Sequence, residues 1–305
     1  MSKVAIAVDE SGSYRTYLTV TTDLVEKARL IHNTSPLASA ALGRVLTGTG
    51  LMSIMLKNDA DNVTVQFTGD GPAKQIISVG HGDGSVKGYI ADPQVELPLK
   101  NGKLDVGGSI GVGELRVIRD EGLKEPYTGS IALVSGEIAE DLTAYYYISE
   151  QQNTSIALGV KVEPDLSIGA AGGMFIQMMP DPEEEALCEL EALTSHMEPV
   201  TSLIDSIAKG GKSEEGIVNE LMDLIFKDVP DGFKPRIIGW KEINWNCDCS
   251  KEKMTAALMT IGEKDMKRII DEDGKAELVC HFCNSKYDFN KEELEAILWK
   301  ISDSK

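Results

Sequence analysis

"NWNCDCSKEK" (residues 244–253) and "VCHFCNSKY" (279–287) hold four of the five cysteines in this chain of 305 residues. Cys247 and Cys249 are spaced C-x-C, Cys280 and Cys283 are spaced C-x-x-C, and thirty residues separate the pairs. Four thiolates are the number that closes a tetrahedral zinc site. A C-x-x-C turn is the usual zinc knuckle. The C-x-C half is less usual for a purely structural finger, because one intervening residue must send both sulfurs to one ion from a nearly extended backbone. A plain zinc ribbon, closed and inert, remains open as a reading of these residues. His281 lies inside the second pair, but four sulfurs complete such a site without it.

Around these pairs, residues 231–305 read as a small C-terminal module. A helical stretch, "SKEKMTAALMTIGEKDMKRIIDEDG", lies between the pairs, and the second pair sits on a strand–turn–strand, "AELVCHFCNSKYDF". In the final "NKEELEAILWKI", Asn290 and Glu293 fit a capping box and Phe289 can staple onto Leu294. So short a module has a thin core, and a metal staple would help it fold.

Residues 181–230 carry thirteen acids against three bases, a net charge of −10 within a chain total of −19. The segment reads as an amphipathic helical linker: Asp181 as cap, Pro182 at the first position, and Leu187, Leu190, Leu193 and Met197 stepping along one face. Pro199 restarts the helix, and "SEEGIVNELMDLIFKD" presents Ile217, Leu221, Leu224 and Ile225 on one side. Cys188, the fifth cysteine, reads as a small residue at the core edge.

Residues 1–180 alternate short β-rich runs with tight-turn signals such as "GDGP", "HGDGS" and "KNGK". Helical stretches fit at "TTDLVEKARLIHN", at "SPLASAALGRVLTGTGLMSIML" with Ser35 as cap and Pro36 in the first turn, and at "EIAEDLTAYYYIS". Strands outnumber helices, so the expectation is an α+β domain built on mostly antiparallel sheet.

Other features narrow the function. The acidic surface, with a sequence pI near 4.6, repels phosphate backbones and anionic lipid, which argues against nucleic-acid and membrane partners. The apolar run after the N-terminus is too short for a signal-peptide core, which places the protein in the cytosol as an expectation. There, thiols rest reduced. No phosphate-loop, dinucleotide, zinc-protease or nucleophile-elbow motif occurs, and the glycine-rich "GGSIGVGELRV" reads as a sheet turn. Glu137, Glu140 and Asp141 read as an exposed helix start, and "AYYY" (144–147) as core packing. No enzyme is expected. In the cysteine module, Lys251, Lys253, Lys286 and Arg268 can lie near the sulfurs, and thiolates beside cations react readily with peroxide. Each cysteine has a neighbour at hand in its own pair.

The whole chain resembles the heat shock protein 33 family. The resemblance rests on the two cysteine pairs at this spacing and on "HNTSPLASAALGRVLTG" (32–48), "GELRVIRD" (113–120), "EPYTGSIALVSGEIAEDLTAYYYISEQ" (125–151) and "GAAGGMFIQMMP" (169–180). It implies a core at 1–180, a linker at 181–230 and a zinc domain at 231–305. It implies zinc held by Cys247, Cys249, Cys280 and Cys283 in the reduced state. It also implies oxidation to Cys247–Cys249 and Cys280–Cys283 disulfides with zinc release. The oxidised form would be an ATP-independent holdase that binds unfolded client proteins, commonly as a homodimer. The competing expectations are an enzyme or a docking protein whose site lies in 1–180 and whose zinc ribbon is structural.

Overall fold

The computed structural model describes residues 2–208 and 212–303. The chain divides into two compact units, Met1–Asn246 and Cys247–Lys305. In the first unit the elements run β1 (Ser2–Asp9), β2 (Tyr14–Val20), α1 (Thr22–His32), α2 (Pro36–Ser53), β3 (Asn62–Gly69), β4 (Gln75–His81) and β5 (Ser85–Ile90). They continue with α3 (Val106–Ile110), β6 (Gly113–Asp120), β7 (Tyr127–Ala132), α4 (Ala139–Ile148), β8 (Thr154–Val162) and β9 (Ile168–Met178). Then come α5 (Glu184–His196), α6 (Val200–Ala208), α7 (Glu214–Ile225) and β10 (Pro235–Trp245). The end of the second linker stretch, 209–211, lies outside the described residues.

Among the described residues, ten strands make one sheet in the order β7-β6-β3-β4-β5-β10-β1-β2-β9-β8. All pairings are antiparallel except β5 with β10, which meet in parallel at Asn244↔Ser85 and Trp245↔Val86. The α+β class with a mostly antiparallel sheet is therefore observed. β10 joins the two halves of the sheet. It pairs with β1 along its length, with a bulge between Ile6 and Ala7. The sequence pattern alone places this stretch, within 231–305, in the C-terminal module. Its partners instead lie more than 140 residues earlier, a pairing that local pattern does not reveal.

The two faces of the sheet bury different helices. α2 is enclosed almost throughout, and small residues permit it. A Cβ on Gly43 would lie 2.6 Å from Val25 Cγ1, and one on Gly50 would lie 2.9 Å from Ile243 Cδ1. Ser35 caps the helix by accepting from Ala38 N, with Pro36 in the first turn. α1 and α4 pack beside α2, and Leu24, Ala28, Leu142, Tyr145 and Tyr146 join its core.

The opposite face is covered by α5, α6 and α7. Alternation along β1, β2 and β9 sends Ala5, Ala7, Tyr14, Leu18, Met174 and Ile176 to this side. They meet Ala186, Leu190, Ile204, Val218 and Leu221. Tyr14 donates to the Phe233 carbonyl at 2.5 Å, which anchors the chain after α7. No helix among the described residues is long and apolar enough to cross a membrane.

Three local expectations are corrected. Asp181 does not cap α5: it adopts a left-handed φ of 53°, and the helix starts at Glu184. A backbone bond from Met179 N to Ser13 O and a bond from Glu183 N to the Ser13 hydroxyl hold this loop against the β1–β2 turn and delay the helix. Cys188 is exposed, not at the core edge. Asp141 is buried, and its Oδ1 accepts from Val134 N and Ser135 N. Glu137 accepts from Arg44. These two acids therefore fix the entry to α4 instead of forming an exposed start.

The second unit contains α8 (Lys251–Met259), α9 (Glu263–Glu272), β11 (Lys275–Val279), β12 (Lys286–Asn290) and α10 (Lys291–Asp303). The helical stretch between the cysteine pairs breaks after Met259, and Gly262, with a φ of 86°, precedes the second helix as its N-cap. β11 and β12 form an antiparallel hairpin. Leu258, Met266, Ile270, Phe289, Leu294, Ile297 and Ile301 make a small core. Asn290 and Glu293 exchange the two bonds of a capping box, each 3.0 Å.

Candidate metal centre

Two irregular segments bring the sulfurs together. Cys247 and Cys249 lie between the end of β10 and Ser250, whose hydroxyl caps α8 by accepting from Lys253 N. Cys280 follows β11 and opens a tight turn. Cys280 N donates to Ser285 O at 2.9 Å, and Asn284 N donates to Cys280 O at 2.8 Å. Asn284 takes the left-handed φ of 59° that closes this turn, a conformation asparagine tolerates.

The four sulfurs all lie within 4.8 Å of one another. Cys247 Sγ is 3.8 Å from Cys280 Sγ, and Cys249 Sγ is 3.3 Å from Cys283 Sγ. A regular tetrahedron with Zn–S bonds near 2.3 Å has S···S edges of about 3.8 Å. The donor set therefore fits a soft divalent ion of zinc's size. All four cysteines are free thiols. His281 is exposed and is not part of this cluster of metal-binding groups.

Protons compete for these sulfurs. Burial pushes the Cys247 thiol far above the ordinary cysteine value and raises Cys280 as well. Burial acts in the same direction on Cys283, but hydrogen bonding with the Ser285 hydroxyl and backbone outweighs it and brings that thiol down to about 7. The bases expected near the sulfurs are each held by a carboxylate: Lys251 by Glu293, Lys253 by Asp248, Lys286 by Glu277 and Arg268 by Asp265. Lys251 also stands 5.1 Å from the centre of the Phe289 ring.

Two neighbours of the cluster went unremarked in the sequence. Tyr287 donates its hydroxyl to Cys249 Sγ at 3.1 Å, and the Ser285 hydroxyl lies 3.2 Å from Cys283 Sγ. The available signal was spacing: Cys283, Ser285 and Tyr287 follow one another at intervals of two where a strand begins.

Comparison with known proteins bears on the whole chain. The family described as "Hsp33 protein" matches residues 2–290. The 33 kDa chaperonin of Alkaliphilus metalliredigens is 42% identical over 299 residues, covering 97% of this chain and 98% of that protein. The 33 kDa chaperonin of Clostridioides difficile is 44% identical over 294 residues, covering 96% and 97%. A crystal structure of the 33 kDa chaperonin (heat shock protein 33 homolog) of Thermotoga maritima superposes with a TM-score of 0.85 at 34% identity, covering 99% of each chain.

Proposed function

Because the chain belongs to the Hsp33 family, we propose that it is a redox-regulated, ATP-independent holdase, silent when reduced and zinc-bound and active when oxidised. The observation that carries this reading is the cluster of four free thiols at near-tetrahedral spacing. Cys247, Cys249, Cys280 and Cys283 are the ligands. With zinc bound, all four would be held as thiolates, and the 247–249 segment would be tied to the 280–283 turn. That tie matters because the core of the second unit is small and metal-binding energy is folding energy in such modules.

Oxidation acts on the ligands themselves. Joining Cys247 to Cys249 and Cys280 to Cys283 removes the negative charges that hold a divalent cation, and the unit loses its staple. The linker helices then become unstable. Their outer faces carry like charges that oppose compaction, and their inner faces cover Ala5, Leu18, Met174 and Ile176. Uncovered, these surfaces offer apolar area to unfolding chains, flanked by charge that keeps the complex dissolved. The active form is a dimer in the cytosol, and its partners are unfolded proteins.

The test compares reduced, zinc-loaded protein with peroxide-treated protein at elevated temperature. Aggregation of a heat-unfolded client is followed without ATP, and zinc release is followed in the same sample. The expected result is protection only after oxidation, rising with zinc release, loss of helical circular dichroism, a dimer by light scattering and the two sequence-neighbour disulfides by peptide mapping. Zinc retained, or released with no protection, would leave the cysteines a structural staple.

A further inference from the structure

We propose that Tyr287 is a brake on the oxidation of the cysteine cluster, acting through its hydroxyl on the sulfur of Cys249, with Ser285 acting in the same way on Cys283. The proposal rests on the assignment of these cysteines as metal-bound thiolates. A thiolate has no proton to donate, so with metal bound the hydrogen bonds can run only from the hydroxyls to sulfur. The 3.1 Å separation from Tyr287 and the 3.2 Å separation from Ser285 are both suitable for bonds to sulfur.

The fold holds Tyr287 in place. β12 pairs it with Leu278 of β11, and its ring packs against the small core around Phe289 and Leu294. The hydroxyl is thus held by the hairpin's register, independently of the cysteine segment it contacts, 38 residues earlier in the chain. Partners of this kind tune metal-bound ligands as strongly as they orient them.

The chemistry affected is attack on peroxide. The thiolate sulfur gives an electron pair to one peroxide oxygen, an S–O bond forms, the O–O bond breaks, and the departing hydroxide takes a proton to become water. A neighbouring thiolate then attacks the sulfenic sulfur, forming the S–S bond and expelling a second hydroxide, which is also protonated. Two sulfurs supply the two electrons that one peroxide accepts. A hydrogen bond to sulfur draws charge from the attacking lone pair and slows the first step. Sulfur nucleophilicity falls with basicity along a slope of about 0.4–0.5, so loss of one charge-assisted bond should raise the rate about 3- to 10-fold.

The experiment uses the full-length, zinc-loaded chain with Tyr287→Phe and, separately, Ser285→Ala. Zinc release is timed with a chromophoric chelator, once with hydrogen peroxide and once without oxidant. Cobalt-substituted protein supplies the sulfur-to-metal charge-transfer band. The expected result is release about 3- to 10-fold faster in Tyr287→Phe with peroxide, unchanged release without it, and a charge-transfer band moved to lower energy. Release accelerated equally with and without peroxide would mean a merely looser fold. Peroxide-driven release within twofold of the parent, with the band unmoved, would show that the hydroxyl does nothing. Either outcome overturns the proposal. Client protection assayed in the same samples reports separately on the chaperone reading: faster oxidative release with no protection would keep the brake and remove the switch.

Discussion

Cys247 and Cys280 have thiols raised by burial, so both are protonated at neutral pH in the metal-free reduced chain. A metal must displace those protons, so affinity falls as pH falls. With these two thiols, and with Cys283 joining them below its value of about 7, zinc affinity should drop at least about 100-fold per pH unit below neutrality, steepening toward about 1,000-fold. Competition with a chelating dye at two pH values checks this; an affinity independent of pH would mean that the thiols are already ionised. Replacing Cys280 by serine removes the buried donor of the set and should abolish stoichiometric zinc in the purified protein, whereas His281→Ala should leave it at one per chain by metal analysis. The four cysteines were legible in the sequence because they are scarce and their spacing is chemically restrictive. Tyr287 was not, because its reach to Cys249 depends on a hairpin register. Cys188 was misread through helix phase: the buried stripe of α5 runs from Ala186 to Leu190, and Cys188 lies two residues from each, about 200° around the helix from the first.

Among the elements, α7 is the clearest test of the linker. Its Ser213 cap accepts from Gly216 N, and Val218 and Leu221 are fully buried against the sheet. Leu221→Ala should cost about 2–4 kcal/mol of folding stability, seen as a lower denaturant midpoint of the first unit. In the reduced protein it should also raise binding of a hydrophobic dye and give partial client protection with zinc still bound. Dye binding without protection would mean that the uncovered face is not where clients dock. In α10, Asn290→Ala removes one arm of a reciprocal cap and should cost about 1 kcal/mol, measurable as a lower melting temperature of the zinc-loaded second unit. Helices of this kind were readable from periodicity and capping residues alone. The strand β10, "PRIIGWKEINW", is missing from the sequence reading, as is its place between β1 and β5, because strand partners are set by tertiary packing, whereas helix hydrogen bonds are set within the segment.

For the whole molecule, the division after Asn246 makes a prediction about where the chain can be cut. A chain ending at Asn246 keeps every strand of the large sheet and should fold, with a cooperative thermal transition. A chain ending at Pro230, the boundary read from the sequence, lacks β10 and leaves β5 and β1 without their shared neighbour. It should be insoluble or lack that transition, since unpaired edges between two half-sheets invite aggregation. The same strand has a consequence for biosynthesis. A ribosome releases residues in order, and the large sheet cannot close until Trp245 has emerged, long after β1 to β9. Until then the nascent chain carries two open strand edges and long loops still to be closed. Such high contact order slows folding and prolongs exposure to aggregation. The newly made protein is therefore, for a time, an unfolded chain in need of protection itself.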